Sequence, residues 1–293
     1  MTRSLAIAAL TALAACTAPA AEPVAPPAPP PPPPPVERIL DGSFDFRGAI
    51  VQGGLAVGQA PAGAVSVTLD GKPTRLDPQG RFLVGFGRDA VPDALVEARL
   101  ADGTRVRQAL KVGPRDWRIE RIPQLAQSST PNPEYEKLRS AEVARIATAR
   151  SATSDAIGWT QRFAWPATGR ISGVYGSQRI LGGVPRAPHA GVDIARPSGT
   201  PVASPADGII VLASPPKFSL EGNLLIIDHG NRLFSSFLHL SRIDVKVGDV
   251  VRQGQPVGTI GMTGRATGPH LHWAMSWGDV RVDPQLLVPP MQP

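Results

Sequence analysis

The 293-residue sequence has five histidines, at positions 189, 229, 239, 270 and 272, and none before residue 189. Two of their surroundings have the chemistry of metal ligation. His189-Ala190-Gly191-Val192-Asp193 sets an imidazole four residues before a carboxylate, and His270-Leu271-His272 sets two imidazoles two residues apart. Side chains two apart on a strand share a face, so His270 and His272 address one site while Leu271 turns into the core. Neutral imidazole nitrogen and carboxylate oxygen both suit Zn2+, and a catalytic zinc commonly takes three protein ligands and keeps a fourth position for water. His189, Asp193 and one of the last pair would supply that set. Zinc held this way lowers the pKa of its water towards ~7 and polarises a carbonyl, the requirements of amide hydrolysis. Further histidines nearby could move protons or support an oxyanion. Taken singly, each motif also fits a bland role, an exposed polar strand face or a loop capped by aspartate. Their conjunction, with glycine and proline flanking both, provides the tight turns that a ligand cluster needs.

The elements that must position these groups follow from the texture of the chain. From Trp165 onward, short β-branched runs are punctuated by glycine and proline: Gly208 to Ala213, Asn223 to Asp228, Leu233 to Leu240, Asp249 to Arg252 and Pro256 to Ile260. They predict a compact antiparallel β domain over residues 165–293. Residues 37–122 carry alternating runs such as Val65-Ser66-Val67-Thr68-Leu69 and turn signals such as Asp70-Gly71, which predict a small β-sandwich-like domain. Within it, Leu95 to Leu100 and Thr104 to Val112 should form a hairpin across Ala101-Asp102-Gly103. This region has no histidine and no paired acidic cluster, so it reads as a spacer or a docking module for an unidentified protein partner. Trp117 with Arg115, Arg118 and Arg121 could touch a glycan, but a packed edge is the expectation. Residues 123–164 form a linker in which Pro131-Asn132-Pro133 breaks the chain. A helix then runs from Glu134 to about Ser154, with Tyr135, Leu138 and Ile146 marking one face. The fold class is thus mainly β, two β domains with a connecting helix.

Residues 1–15 read as an export signal, with Arg3 at the start and an apolar run from Leu5 to Leu13 that is too short to span a bilayer. The run ends at Leu13-Ala14-Ala15-Cys16, and Cys16 is the only cysteine, so no disulfide forms within the chain. Leu-Ala-Ala-Cys resembles a bacterial lipobox. That resemblance implies lipidation of Cys16, cleavage before it, and a membrane-anchored lipoprotein facing the periplasm, with the outer membrane favoured because Thr17 rather than Asp follows. Residues 16–36 continue the anchor into a spacer: eleven of the nineteen residues from Ala18 to Val36 are proline, a polyproline II composition. The 42% hydrophobic content is enough for a folded core. The formal net charge of +6 suits an anionic polymer or membrane surface, but no Lys/Arg cluster with interleaved aromatics points to nucleic acid.

Taken together, the C-terminal motifs resemble the lysostaphin/LytM-type zinc metallopeptidases. The resemblance is carried by His189-Ala190-Gly191-Val192-Asp193, Gly199-Thr200-Pro201-Val202, Ile227-Asp228-His229-Gly230-Asn231, Phe237-Leu238-His239-Leu240-Ser241, the run from Thr263 to His272, and Val282-Asp283-Pro284. It covers about residues 165 to 288 and does not reach residues 37–160. It implies a lysostaphin-like duplicated hybrid motif and a peptidoglycan endopeptidase. It also implies His189, Asp193 and His272 as zinc ligands, with His239 and His270 as the catalytic pair beside the activated water. No glutamate base belongs to this pattern. His229 matches a family position, and its simplest reading is a turn residue. Phe237, Ala266 and Ala274 depart from the family's commoner residues and are expected to tune the substrate groove, while Arg179 could meet an acidic group of the wall peptide. The alternative function is a non-enzymatic activator of a cell-wall amidase sharing the fold, but degenerate relatives of that kind lack zinc ligands, and all five positions are kept here. An enzyme cutting proteins or Gly-rich targets is a third reading.

Overall fold

The computed structural model describes residues 38–122 and 132–291. The expected signal peptide, the lipidated Cys16 and the proline-rich spacer lie outside the described residues, as do residues 123–131 of the linker. The described residues belong to one compact unit.

The amino-terminal part has eight strands: β1 (Ile39–Asp41), β2 (Asp45–Gly48), β3 (Leu55–Gln59), β4 (Ala64–Leu69), β5 (Lys72–Thr74), β6 (Arg81–Gly85), β7 (Asp93–Leu100) and β8 (Arg105–Lys111). They form two sheets, ordered β1-β8-β7-β4-β5 and β2-β3-β6. Period-two patterning explains the sandwich: on β7, Ala94, Val96 and Ala98 are buried between exposed or half-buried neighbours. Those inward residues join Phe44, Val67, Phe82, Val84 and Leu110 in one core. The hairpin read from the sequence is β7–β8, its turn held by Asp102 accepting from the Thr104 backbone N–H at 2.9 Å.

Beyond it come β9 (Ile119–Ile122), helix α1 (Pro133–Ser151), and then β10 (Arg170–Gly173), β11 (Gln178–Leu181), β12 (Val184–Pro185), β13 (Gly191–Ala195) and β14 (Pro201–Ala203). The chain continues through β15 (Gly208–Ala213), β16 (Asn223–Asp228), β17 (Leu233–Leu240), β18 (Arg242–Ile243), β19 (Val250–Val251), β20 (Pro256–Thr259), β21 (His270–Trp277) and β22 (Val280–Val282). The main sheet runs β10-β13-β21-β17-β16-β15-β19, with β22 also on β21, and a small sheet β14-β20-β18 lies apart. One face of the main sheet puts Val192, Ile194, Leu225, Ile227, Phe237, Leu271, Trp273 and Met275 into a core with Val202, Val257 and Ile260. The other face presents Leu224, Ile226 and Phe234 at one side, and the even-numbered residues of β21 at the other.

Helix α1 covers the first of these areas. Asn132 caps it by accepting from the Glu134 and Tyr135 backbone N–H groups, Pro133 opens it, and Glu134 and Glu136 suit its positive end. Its buried face meets the sequence expectation only in part: Ile146 packs with Ala149 against Leu224, Ile226 and Phe234, but Tyr135 and Leu138 are 41% and 51% exposed, and Glu142 faces inward. The cause is that polar contacts seat this helix. Arg139 grips Glu221 with two bonds of 2.6 and 2.7 Å, and Glu142 accepts from the Ser219 backbone N–H and hydroxyl at 2.5 and 2.6 Å. A pattern search for apolar residues cannot see such an interface. Among the described residues no helix is long and apolar enough to cross a membrane.

The two sheet systems meet directly. Leu55 and Leu83 join the core of the main sheet, and Trp277 packs against both cores. Arg115 pairs with Asp283 at 2.8 Å, and β9 adds to β11 in parallel. Trp117 is a packed edge: it meets Tyr175 edge to face at 5.8 Å, with the Arg115 and Arg88 guanidiniums 4.7 and 5.3 Å from its ring.

Candidate metal centre

Strand register builds most of the site. In the antiparallel ladder of β13 and β21, Asp193 lies opposite His272 and Ala195 opposite His270, so the carboxylate and the paired imidazoles share a face. His189 comes from the loop before β13, where its Nδ1–H donates to the Val174 carbonyl at 3.1 Å. A carbonyl only accepts, so the proton sits on Nδ1 and the Nε2 lone pair turns to the other donors. That Nε2 lies 3.2 Å from Asp193 Oδ1 and 3.0 Å from His272 Nδ1, and the last two atoms are 2.8 Å apart. Among the described residues this is the one group of three or more His, Cys, Asp or Glu able to share an ion.

The set fits zinc. Bonds of about 2.0–2.1 Å in a tetrahedron put neighbouring ligand atoms roughly 3.3 Å apart, close to the three separations here. A backbone carbonyl that fixes the imidazole tautomer, as that of Val174 does for His189, is a usual support of a metal-ligating histidine. The approach is possible only because two residues lack side chains. A Cβ on Gly173 would lie 2.2 Å from Asp193 Oδ2, and one on Gly191 would lie 2.3 Å from the Trp273 carbonyl of the neighbouring strand. Gly191 stands inside a recognised motif, whereas nothing in the sequence around Gly173 signals its part.

His239 and His270 flank this triad. The His239 ring centroid is 4.8 Å from that of His270 and 6.3 Å from that of His272, and His270 Nε2 is 3.8 Å from Asp193 Oδ1. Each donates from Nδ1 to a backbone carbonyl at 2.8 Å, His239 to Thr263 and His270 to Gly268, which leaves both Nε2 atoms free to exchange a proton. His239 sits near the end of β17 with φ of 65°, a left-handed conformation unusual for a residue with a side chain. Its backbone N–H reaches the Glu221 carbonyl at 2.8 Å, and the turn this makes carries the ring into the site. Strain of this kind persists only where the surroundings enforce it.

The electrostatics prepare the donors. Burial opposes the Asp193 charge, but hydrogen bonds from His189 and His272 and their fields outweigh it and hold the carboxyl far below its ordinary pKa. Burial lowers the pKa of His272 despite Asp193, and lowers that of His239 with help from the neighbouring imidazoles. Burial also opposes protonation of His189, yet its bond to Asp193 prevails and its pKa is raised. An ionised Asp193 and neutral imidazoles are the forms that bind metal.

His229 stands apart. It lies in the β16–β17 connection, as a turn residue would, but it is fully buried. Its Nδ1–H donates to the Asp207 carbonyl at 2.8 Å, its Nε2 accepts from the Ser235 hydroxyl at 2.8 Å, and Trp273 Nε1–H donates to that same hydroxyl oxygen at 3.3 Å. Burial pushes its pKa down to about 4. Phe237 is likewise fully buried in the core and not in a groove, whereas Ala274 lies on the face of His272. Arg179 pairs with Glu120 at 2.9 Å.

Comparison with known proteins agrees with this geometry. The profile of peptidase family M23 matches residues 187–284. A Pseudomonas aeruginosa crystal structure assigned to peptidase M23 is 31% identical, with a TM-score of 0.63, over 81% of this chain and 94% of that one. The chain is also 42% identical over 116 residues to the peptidoglycan DD-endopeptidase ShyA of Vibrio cholerae, and 41% identical over 97 residues to ShyC, another peptidoglycan DD-endopeptidase of that organism. These matches cover 39% and 33% of this chain but only 26% and 22% of the relatives.

Proposed function

The chain belongs to peptidase family M23, and from that premise we propose that it is a zinc metalloendopeptidase hydrolysing peptide bonds in peptidoglycan stems or cross-links. The observation that carries the proposal is the convergence of the His189, Asp193 and His272 donor atoms beside two more imidazoles whose Nε2 atoms are free. His189, Asp193 and His272 would hold the ion. Zinc, when bound, supplies Lewis acidity, polarising the scissile carbonyl and easing ionisation of water. The rest falls to the chain's own groups. His239, kept neutral by burial, and His270 present Nε2 lone pairs that can receive the proton of the attacking water. Once protonated, an imidazole can donate to the oxyanion that forms, or pass its proton to the departing amine. The two histidines divide these tasks between them, and their fixed Nδ1 bonds to Thr263 and Gly268 hold the rings in place throughout.

Purified protein should release soluble muropeptides from sacculi, and a chelator should stop it. His272→Ala should lose zinc and turnover together, whereas His270→Ala should keep more zinc than turnover, as metal analysis beside a release assay would read. Equal release by wild type and both variants would reject the assignment. Absent turnover combined with faster turnover of a partner amidase would instead favour the activator.

We also propose, on the sequence alone, that Cys16 is lipidated and anchors the protein to a membrane facing the periplasm. The Leu13-Ala14-Ala15-Cys16 pattern and the proline-rich stretch behind it support this. Labelled palmitate should enter the wild type and not Cys16→Ala; equal labelling would overturn the proposal.

A further inference from the structure

Two arginines occupy the same sheet face as the metal ligands. On β21 the even-numbered residues share that face, so Ser276 follows His272 and Ala274 along one row, and Arg281 of β22 lies directly opposite Ser276. From the other side, Arg150 at the end of α1 reaches over β17 and donates to the Ser236 hydroxyl at 3.0 Å. Ser236 pairs with Ala274 and lies one diagonal step from Ser276. Both arginines are half-buried, and each has its pKa lowered, first by burial. Arg150 also feels the Arg281 charge directly.

The pair is not balanced in the usual way. No carboxylate among the described residues forms an ion pair with either guanidinium, because Glu221 is committed to Arg139 and both it and Asp279 act on the pair only at a distance. The Arg150 Nε and the Ser276 hydroxyl are buried without a hydrogen-bond partner. Burying like charges and unmet donors costs stability, and folding by itself gives nothing back for it. An anion between them would meet both, since guanidinium forks match a carboxylate's two oxygens and the serine hydroxyls add further donors.

We propose that Arg150 and Arg281, with Ser236 and Ser276, form a carboxylate-binding subsite for the peptide substrate. It rests on the cell-wall reading above, whose substrate peptides carry free carboxylates. Ser276 is four residues from His272, and a strand rises about 3.3 Å per residue, so the subsite lies roughly 13 Å along β21 from the metal centre. That spacing selects an extended peptide with an acidic group three or four residues from the bond to be cut.

The test uses the full zinc-loaded chain and a cross-linked muropeptide, either with free carboxylates or fully amidated. The wild type should show a KM lower by roughly tenfold or more for the free acid at similar kcat, the worth of a charge-assisted hydrogen bond. Arg281→Gln should remove the preference, and Arg281→Lys should restore part of it. Binding of both peptides to His270→Ala, by calorimetry, separates the subsite from turnover. A wild type that cuts neither peptide would remove the cell-wall reading, yet tighter binding of the free acid, lost on adding Arg281→Gln, would still support the subsite. Equal binding of the acid and the amide, or a preference that survives Arg281→Gln, would overturn it.

Discussion

The most quantitative test concerns His229, which lies outside the group of His189, Asp193 and His272. Its pKa is pushed from the ordinary histidine value to about 4 because burial denies the imidazolium its water. In the unfolded chain the same ring titrates near 6.5. The folded form therefore binds fewer protons than the unfolded form between these values, and stability falls as pH drops through that window. The contribution is complete above about pH 6.5, and the loss is complete below about pH 4; at 1.36 kcal/mol per unit the whole loss is about 3 kcal/mol, with about 2 kcal/mol of it reached by pH 5. His229→Gln keeps an amide that can donate to Asp207 but cannot titrate. Its own cost at neutral pH, from imperfect bonding to Ser235, is the same at every pH. Urea denaturation of both proteins at pH 7 and pH 5, with chelator present so that metal release does not enter, should show the gap between them closing by about 2 kcal/mol at the lower pH. A gap that stays constant would mean that the histidine is solvated or already charged, and the burial argument would fail.

Gly173→Ala would place a methyl 2.2 Å from Asp193 Oδ2 and push the carboxylate aside. Zinc affinity should drop by roughly tenfold or more with an unchanged circular dichroism spectrum, because groups that set a ligand's position matter nearly as much as the ligand; undiminished affinity in a competition titration would refute this. At position 239, glycine should give a protein more stable than alanine by about 1 kcal/mol, since only glycine accepts the 65° φ without strain, while both variants lose turnover. Denaturation midpoints in the reverse order would show that the backbone is not held left-handed.

What the sequence disclosed and what it hid follow one physical division. Strand periodicity placed His270 and His272 on one face and marked the β7–β8 hairpin, because local backbone geometry alone decides those features. Which of the two histidines joins Asp193 depends on the β13–β21 register, a contact between residues 79 positions apart that no local pattern encodes. For the same reason the interior place of His229 was invisible: the partners that bury it, Asp207 and Ser235, lie on other elements. The helix was legible in its cap, its length and the inward turn of Ile146, but the polar part of its seat was hidden, since Arg139 and Glu142 look like solvent-facing residues until Glu221 and Ser219 are brought opposite them. Arg150 and Arg281 come to one sheet face, over Ser236 and opposite Ser276, only through the tertiary fold.

The shared seam of Leu55, Leu83 and Trp277 has a mechanical consequence. Prising the first sandwich away from the main sheet would wet all three side chains at once and strand Asp283, a loss on the order of 5 kcal/mol, comparable with the whole margin that keeps an ordinary domain folded. A swinging gate is therefore the wrong picture for the front half of this molecule. It behaves as a fixed abutment, and any influence it has on access must come from the residues it parks along the rim.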